Sequence, residues 1–430
     1  MIQKLYKKVL AHRYGVGLCI YLGAAVLTGM ACTLFMRVFE FVYEHRLDPE
    51  RIGLWCWITT PLLFIAAIEL IRRAAPCADG AGIPQTIFAS KHLSEANYGQ
   101  LGELVSFKTM GIKIAALLIG LWAGASTGRE GPTVHIAACL FFGITWTMHR
   151  VFKLPFNMRS AVVAGGAAGL AAAFNTPLAG VTFAIEELST DYFSSMKDMV
   201  LMAIIIAGLA AKTLTGEYIY FGRLGAPGAV SIMMILAVGV VSGLAGTLFS
   251  VLLIRGRNLL AATRGRKRYF FIAALAASVL LLTLVSGMKG ISGPGNLAAQ
   301  NYVHGDASVP PGLFAIFKMA ATLFTYWSGI AGGIFAPCLS MGSGIGAWVA
   351  SWQNGSIAGC AVMGMAAFLA GAIQAPITSF VIIYEMTGQH EMLLPIMLAS
   401  LIGYMVARIF KAKHLYQALA GSYGALLKVT

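Results

Sequence analysis

The chain has 430 residues, 58% of them hydrophobic and 11% charged, whereas a soluble domain carries about 25% charged residues and needs them to cover its outside. This composition excludes a soluble globular enzyme, a disordered protein and a nucleic-acid binder with a basic groove, despite a formal net charge of +14. At about 20 apolar residues per crossing, ten or more membrane segments fit, and almost nothing is left for a separate aqueous domain.

The expected fold class is therefore an all-α polytopic membrane protein, with 1–430 as one membrane domain. In chain order, apolar runs fall at 15–36, 54–71, 111–126, 134–149, 161–188 and 199–214, then at 230–254, 270–288, 312–327, 338–352, 357–387 and 391–410. Cations gather between or beside them. Lys4, Lys7, Lys8 and Arg13 lie at the start, Arg255, Arg257, Arg264, Arg266, Lys267 and Arg268 in the middle, and Arg408, Lys411 and Lys413 near the end. Short basic loops stay in the cytoplasm, so both termini are expected inside a cell (inner) membrane, with an even number of crossings in each half. The seven cysteines form no C-x-x-C pair and read as small buried hydrophobes, not as a metal site or a disulfide framework. No small-residue cleavage site follows the first apolar stretch, so no removable signal peptide is expected.

Two apolar runs are interrupted, 161–188 at Asn175-Thr176-Pro177 and 357–387 at Gln374-Ala375-Pro376. Setting Pro177 on Pro376, an offset of 199, aligns Gly165 with Gly364, Leu170-Ala171 with Leu369-Ala370, Asn175 with Gln374 and Glu186 with Glu385. Gly128 and Pro132 match Gly333 and Pro337 at nearly the same offset. The chain thus reads as two homologous halves, 15–220 and 230–412. Segment 221–269 holds the start of the second repeat and a basic cytoplasmic linker at 255–268, and 413–430 is a cytoplasmic C-terminal segment. Broken helices in matching positions of two halves point to a binding site at the membrane midplane.

Three glycine-rich turns share one design: Gly80-Ala81-Gly82-Ile83-Pro84, Gly128-Arg129-Glu130-Gly131-Pro132 and Gly332-Gly333-Ile334-Phe335-Ala336-Pro337. Each glycine permits a tight turn, and each proline sits where a first helical turn would begin. Three helix starts converging would hold an anion on backbone N–H groups without a full positive charge, which permits release. Few acids lie in apolar surroundings. Glu130 is one, and Glu186 and Glu187 are others. A carboxylate at membrane depth costs about 2.5–3.5 kcal/mol on insertion scales. An Arg129–Glu130 loop ion pair and a cytoplasmic helix end at Glu186-Glu187 are the plainer alternatives.

The ordered set GREGP followed by TVH, GAAGLAAAFNTPLAGVTFAIEE, GGIFAP and Lys413-His414-Leu415-Tyr416 resembles the signature motifs of the CLC family of chloride channels and chloride/proton antiporters. The resemblance runs from about residue 15 to 425. It implies two inverted repeats of tilted and broken helices, a homodimer with one pore per subunit, and chloride and protons as partners, with no cofactor or metal. It also implies that Glu130 is the gating glutamate and outer proton acceptor, and that Glu187 is the internal proton-transfer glutamate with Glu186 beside it at the cytoplasmic entrance. Chloride would be lined by Gly80, Ala81, Gly82, Ile83 and Pro84, by Gly128, Arg129 and Gly131, and by Ile334, Phe335 and the hydroxyl of Tyr416. One position departs from the pattern: the family's usual serine is Ala81 here, which removes a donor beside the central anion.

Other motifs weigh less. Gly124-Ala125-Ser126-Thr127-Gly128 matches a G-x-S-x-G elbow but has no strand before it. Gly290-Ile291-Ser292-Gly293 resembles a rhomboid serine motif but lies in a loop beside Lys289, and no histidine spacing suits metal catalysis. His135, one turn after Glu130, reads as a helix residue or as a neighbour tuning Glu130. Asp79, Glu69 and Glu385 read as loop or helix-end residues. No regulatory domain is expected after residue 430. The reading is chloride/proton antiport. The alternatives are a passive or loosely coupled anion channel and, from another class, a membrane enzyme or non-conducting scaffold.

Overall fold

The computed structural model describes residues 2–47, 53–94, 97–154, 156–188, 193–216, 219–222, 228, 230–352 and 355–427, without the side chains of 2–14, 193–197, 258, 261–262 and 425. The side chains of the first basic cluster, Lys4, Lys7, Lys8 and Arg13, therefore lie outside the described residues. Helices follow one another from α1 (Ile2–Glu44), α2 (Cys56–Ala74), α3 (Ile83–His92) and α4 (Phe107–Trp122) to α5 (Glu130–Phe152), α6 (Met158–Phe174), α7 (Pro177–Phe183) and α8 (Phe193–Thr215). The series then repeats in α9 (Ile232–Ala262), α10 (Arg266–Ser286), α11 (Asn296–Val303), α12 (Pro311–Trp327), α13 (Phe335–Trp352), α14 (Ile357–Ile373), α15 (Pro376–Thr387) and α16 (Leu393–Ile409). It closes with α17 (Leu415–Leu427). Eight of the described helices are long and apolar enough to cross a membrane, and α6 and α14 are shorter apolar helices. This is a multi-pass, all-helical membrane protein.

Each interrupted run is two helices, for a local reason. Asn175 (φ 58°) ends α6 and Gln374 (φ 62°) ends α14, both in the left-handed conformation that closes a helix. Pro177 and Pro376 then open α7 and α15 at a position where a missing N–H costs nothing. The middle basic segment is more helical than a linker would be. No breaker interrupts it before Gly265 (φ 58°), so α9 runs on to Ala262.

The two halves meet reciprocally. The Glu186 carboxylate accepts from the N–H groups of Ile377 (3.0 Å) and Thr378 (2.6 Å) at the start of α15. Glu385, its match at offset 199, accepts from Leu178 (3.2 Å) and Ala179 (2.8 Å) at the start of α7. Each carboxylate thus binds the positive end of the other half's helix, and a contact that is its own mirror defines a pseudo-two-fold axis. Close packing holds the centre. A Cβ on Gly364 of α14 would meet the Gly346 Cα of α13 at 2.9 Å, so only glycine lets these backbones approach so closely. The most apolar stretch of α5 is 72% buried and that of α10 only 28%. The first is enclosed by protein, and the second carries an exposed apolar surface that includes Phe270 and Val285.

Candidate functional site

The three glycine turns converge. Gly128 and Gly333 exchange both backbone hydrogen bonds, at 2.7 and 3.0 Å, and form the only isolated bridge among the described residues. The N–H of Gly332 donates to the carbonyl of Gly80 at 3.1 Å, tying in the third turn. A Cβ on Gly131 would meet the Ala81 carbonyl oxygen at 2.6 Å and the Gly333 Cα at 3.4 Å, which is why this junction needs glycine. The starts of α3, α5 and α13 therefore face one another, with Pro84, Pro132 and Pro337 inside their first turns. Their first N–H groups have no helical carbonyl to bond.

Glu130, the first residue of α5, is fully buried at this junction. Its carboxylate accepts from the Tyr220 hydroxyl at 3.3 Å and faces its own N–H and that of Ala336. The Arg129 Nε lies 3.9 Å away, so the loop ion-pair reading describes a long contact. The guanidinium instead makes its short bond to Glu40 of α1, at 2.5 Å. His135 points elsewhere, its Nε2 within 2.7 Å of the Leu104 carbonyl.

Tyr416, at the second position of α17, is buried, and its hydroxyl has no hydrogen-bond partner among the described residues. It interacts electrostatically with Cys338, Glu187, Tyr326 and Glu130. Glu187 is itself 2% exposed, on a π-helical turn, Ala184–Leu188, that continues α7. Such turns re-aim side chains and favour functional sites. The Glu187 Oε2 likewise has no partner among the described residues. Glu186, its neighbour, has its carboxylate on the start of α15. Buried polar atoms without partners are rare and call for an explanation. Here the Glu187 oxygen and the Tyr416 hydroxyl are two such atoms, and the Glu130 Oε2 is a third.

Ala81 is fully buried, beside a polar cluster with no counterpart in the motif reading. Arg257, from the middle basic segment, donates to Tyr326 (3.3 Å) and Tyr423 (3.4 Å) and pairs with Asp79 at 3.0 Å. Tyr423 in turn donates to Asp79 at 2.7 Å. The cluster ties α9, the turn before α3 and the helix bearing Tyr416 together.

The family model of the voltage gated chloride channel matches residues 62–408, four-fifths of the length. The chain belongs to this family. Among relatives of the family, the chain is 30% identical to the H(+)/Cl(−) exchange transporter ClcA of Cronobacter sakazakii, over 92% of this chain and 87% of that one. It is 29% identical to the ClcA exchange transporter of Salmonella arizonae, over 95% and 90%. Its fold is similar to that of a slow cyanobacterial Cl−/H+ antiporter solved by crystallography, with a TM-score of 0.80 at 24% identity, covering 95% of this chain and 98% of the other. The two inverted-topology repeats expected from the resemblance are thus the fold of this voltage gated chloride channel family member.

Sequence reasoning passed over several residues that the fold brings to the site. Lys113 and Lys318 are both fully buried. Lys113 donates to the carbonyls of Asp79 (3.0 Å) and Gly80 (3.1 Å). Lys318 donates to those of Gly290, Ile291 and Gly293, at 2.9, 3.0 and 2.6 Å. The two lysines are 205 residues apart, as are Gly128 and Gly333, so the repeat alignment was the signal that could have found them. Tyr220 carried no such signal.

Proposed function

We propose that this chain exchanges chloride for protons across a cell (inner) membrane, as a homodimer with a pore in each subunit and both termini in the cytoplasm. The observation that carries this reading is the junction of three helix starts with a buried carboxylate, Glu130, at its centre. Backbone N–H groups that attract a carboxylate attract a halide equally well, so the two compete for one cradle. Protonating Glu130 removes its charge and frees the cradle, which links proton uptake to anion passage.

In this reading Gly80–Pro84, Gly128, Arg129, Gly131, Ile334 and Phe335 line the anion path, and the Tyr416 hydroxyl donates to the central chloride. Glu187 passes the proton to the inner side. Glu186 helps through the helix start it caps. The names of the relatives support exchange over passive conduction, as does a second buried carboxylate, which a channel has no use for. The boundaries 15–220 and 230–412 are proposed for the two repeats.

Purified protein in vesicles with a chloride gradient tests the reading. Uphill proton movement is expected. Chloride flux without proton movement would make the protein a channel, and the absence of both would remove it from ion transport.

A further inference from the structure

Glu130 does not sit in its cradle on backbone groups alone. Its Oε1 accepts from the hydroxyl of Tyr220 at 3.3 Å, and that same hydroxyl accepts from Asn296 Nδ2 at 2.7 Å. The order of donors is fixed by chemistry. An amide NH2 only donates, so it occupies a lone pair of the phenol oxygen and leaves the phenol proton to be donated onward. The acceptor at the end of this relay is the carboxylate.

Tyr220 is anchored well enough to act this way. Its ring meets Phe174 edge-on at 5.5 Å and Phe221 at 5.1 Å, and Phe174 in turn packs on Phe335 at 5.3 Å. The N–H of Phe221 bonds to the Met386 carbonyl at 3.3 Å, pinning the backbone beside it. Asn296 opens α11, whose preceding loop is held by Lys318.

From these contacts we infer that Tyr220, oriented by Asn296, is a positioning residue that holds the ionised form of Glu130 in the cradle and so sets the pH at which the gate opens. This rests on the reading of Glu130 as the gate. A phenol O–H donates well to a carboxylate and poorly to the neutral acid, so the bond is present in the closed state and weakened on protonation.

The other groups facing Glu130 leave this role open. Just before α5 the Arg129 Nε is 3.9 Å away, with its guanidinium bound to Glu40 of α1. From α13 comes the Ala336 N–H, and Tyr416 of α17 interacts with the carboxylate electrostatically. Tyr220 is the one side-chain hydroxyl in hydrogen-bond contact with the carboxylate among the described residues.

The test is the pH profile of chloride flux in vesicles for the wild type, Tyr220→Phe, Asn296→Ala, Glu130→Gln and the double variant Glu130→Gln/Tyr220→Phe. Tyr220→Phe keeps the ring and its packing and removes only the donor. The pH of half-maximal flux is expected to rise by about one unit, the low end for a hydrogen bond to a charged group. Asn296→Ala is expected to move it in the same direction by less. In the Glu130→Gln background, Tyr220→Phe is expected to leave the profile unchanged. An unmoved midpoint in Tyr220→Phe would overturn the proposal, as would an equal shift with Glu130→Gln present. If Glu130→Gln alone keeps the wild-type pH dependence, the gate reading itself falls and the relay with it.

Discussion

The two ends of the candidate pathway are built differently. Around Glu130 one carboxylate oxygen is bonded, Oε1 to Tyr220, with Tyr220 bonded to Asn296 and Arg129 to Glu40, while Oε2 and the Arg129 Nε have no partner among the described residues. Around Tyr416 and Glu187 a hydroxyl and a carboxylate oxygen are buried with no partner among the described residues. A group already bonded must be released before an ion can take its place, and a group without a partner gains one when the ion or proton arrives. In the proposed reading the bonded Oε1 puts the switching step at the Glu130 end, and the wholly unpartnered Tyr416 hydroxyl puts binding at the other.

The largest expected effect breaks the first end. Glu130→Ala should leave chloride flux and reduce proton movement on the order of 10²-fold, read as loss of uphill proton pumping in vesicles. Coupling that survives would mean Glu130 is not the switch. Next is Glu187→Gln, which should block proton movement to a similar degree while chloride flux continues. Unaltered proton flux would take Glu187 out of the pathway and leave its burial unaccounted for.

Smaller effects sharpen the second end. Tyr416→Phe should weaken chloride binding about tenfold by calorimetry, from the loss of about 1.5 kcal/mol in a charged hydrogen bond. Ala81→Ser restores a donor beside the same anion and should tighten binding by several-fold, about 1 kcal/mol. No change at Ala81→Ser, with the predicted loss at Tyr416→Phe, would show that the Tyr416 hydroxyl alone satisfies the anion on this side.

Much of this architecture was legible because it is local. Asn175 and Gln374 before their prolines announce helix ends, and three Gly/Pro turns announce helix starts, since each depends on the backbone of a few adjacent residues. The repeat made one inference serve two places and implied that Gly128 and Gly333 are equivalent, though not that they pair with each other. Tyr220 was illegible because its partner lies 90 residues away and no motif marks the segment between α8 and α9. The contacts of Arg257 were illegible for a different reason. Charge composition reports a basic segment, while its place on the last turns of α9, against Asp79 and Tyr423, is set by tertiary packing.

The exchange of carboxylates between Glu186 and Glu385 also bears on how the polypeptide holds together. Severing the chain between α8 and α9 would leave each fragment with a bare helix start and an unsatisfied anion, and the missing counterpart of each would lie on the other piece. Two such fragments made separately in one membrane have a built-in reason to find each other and reassemble.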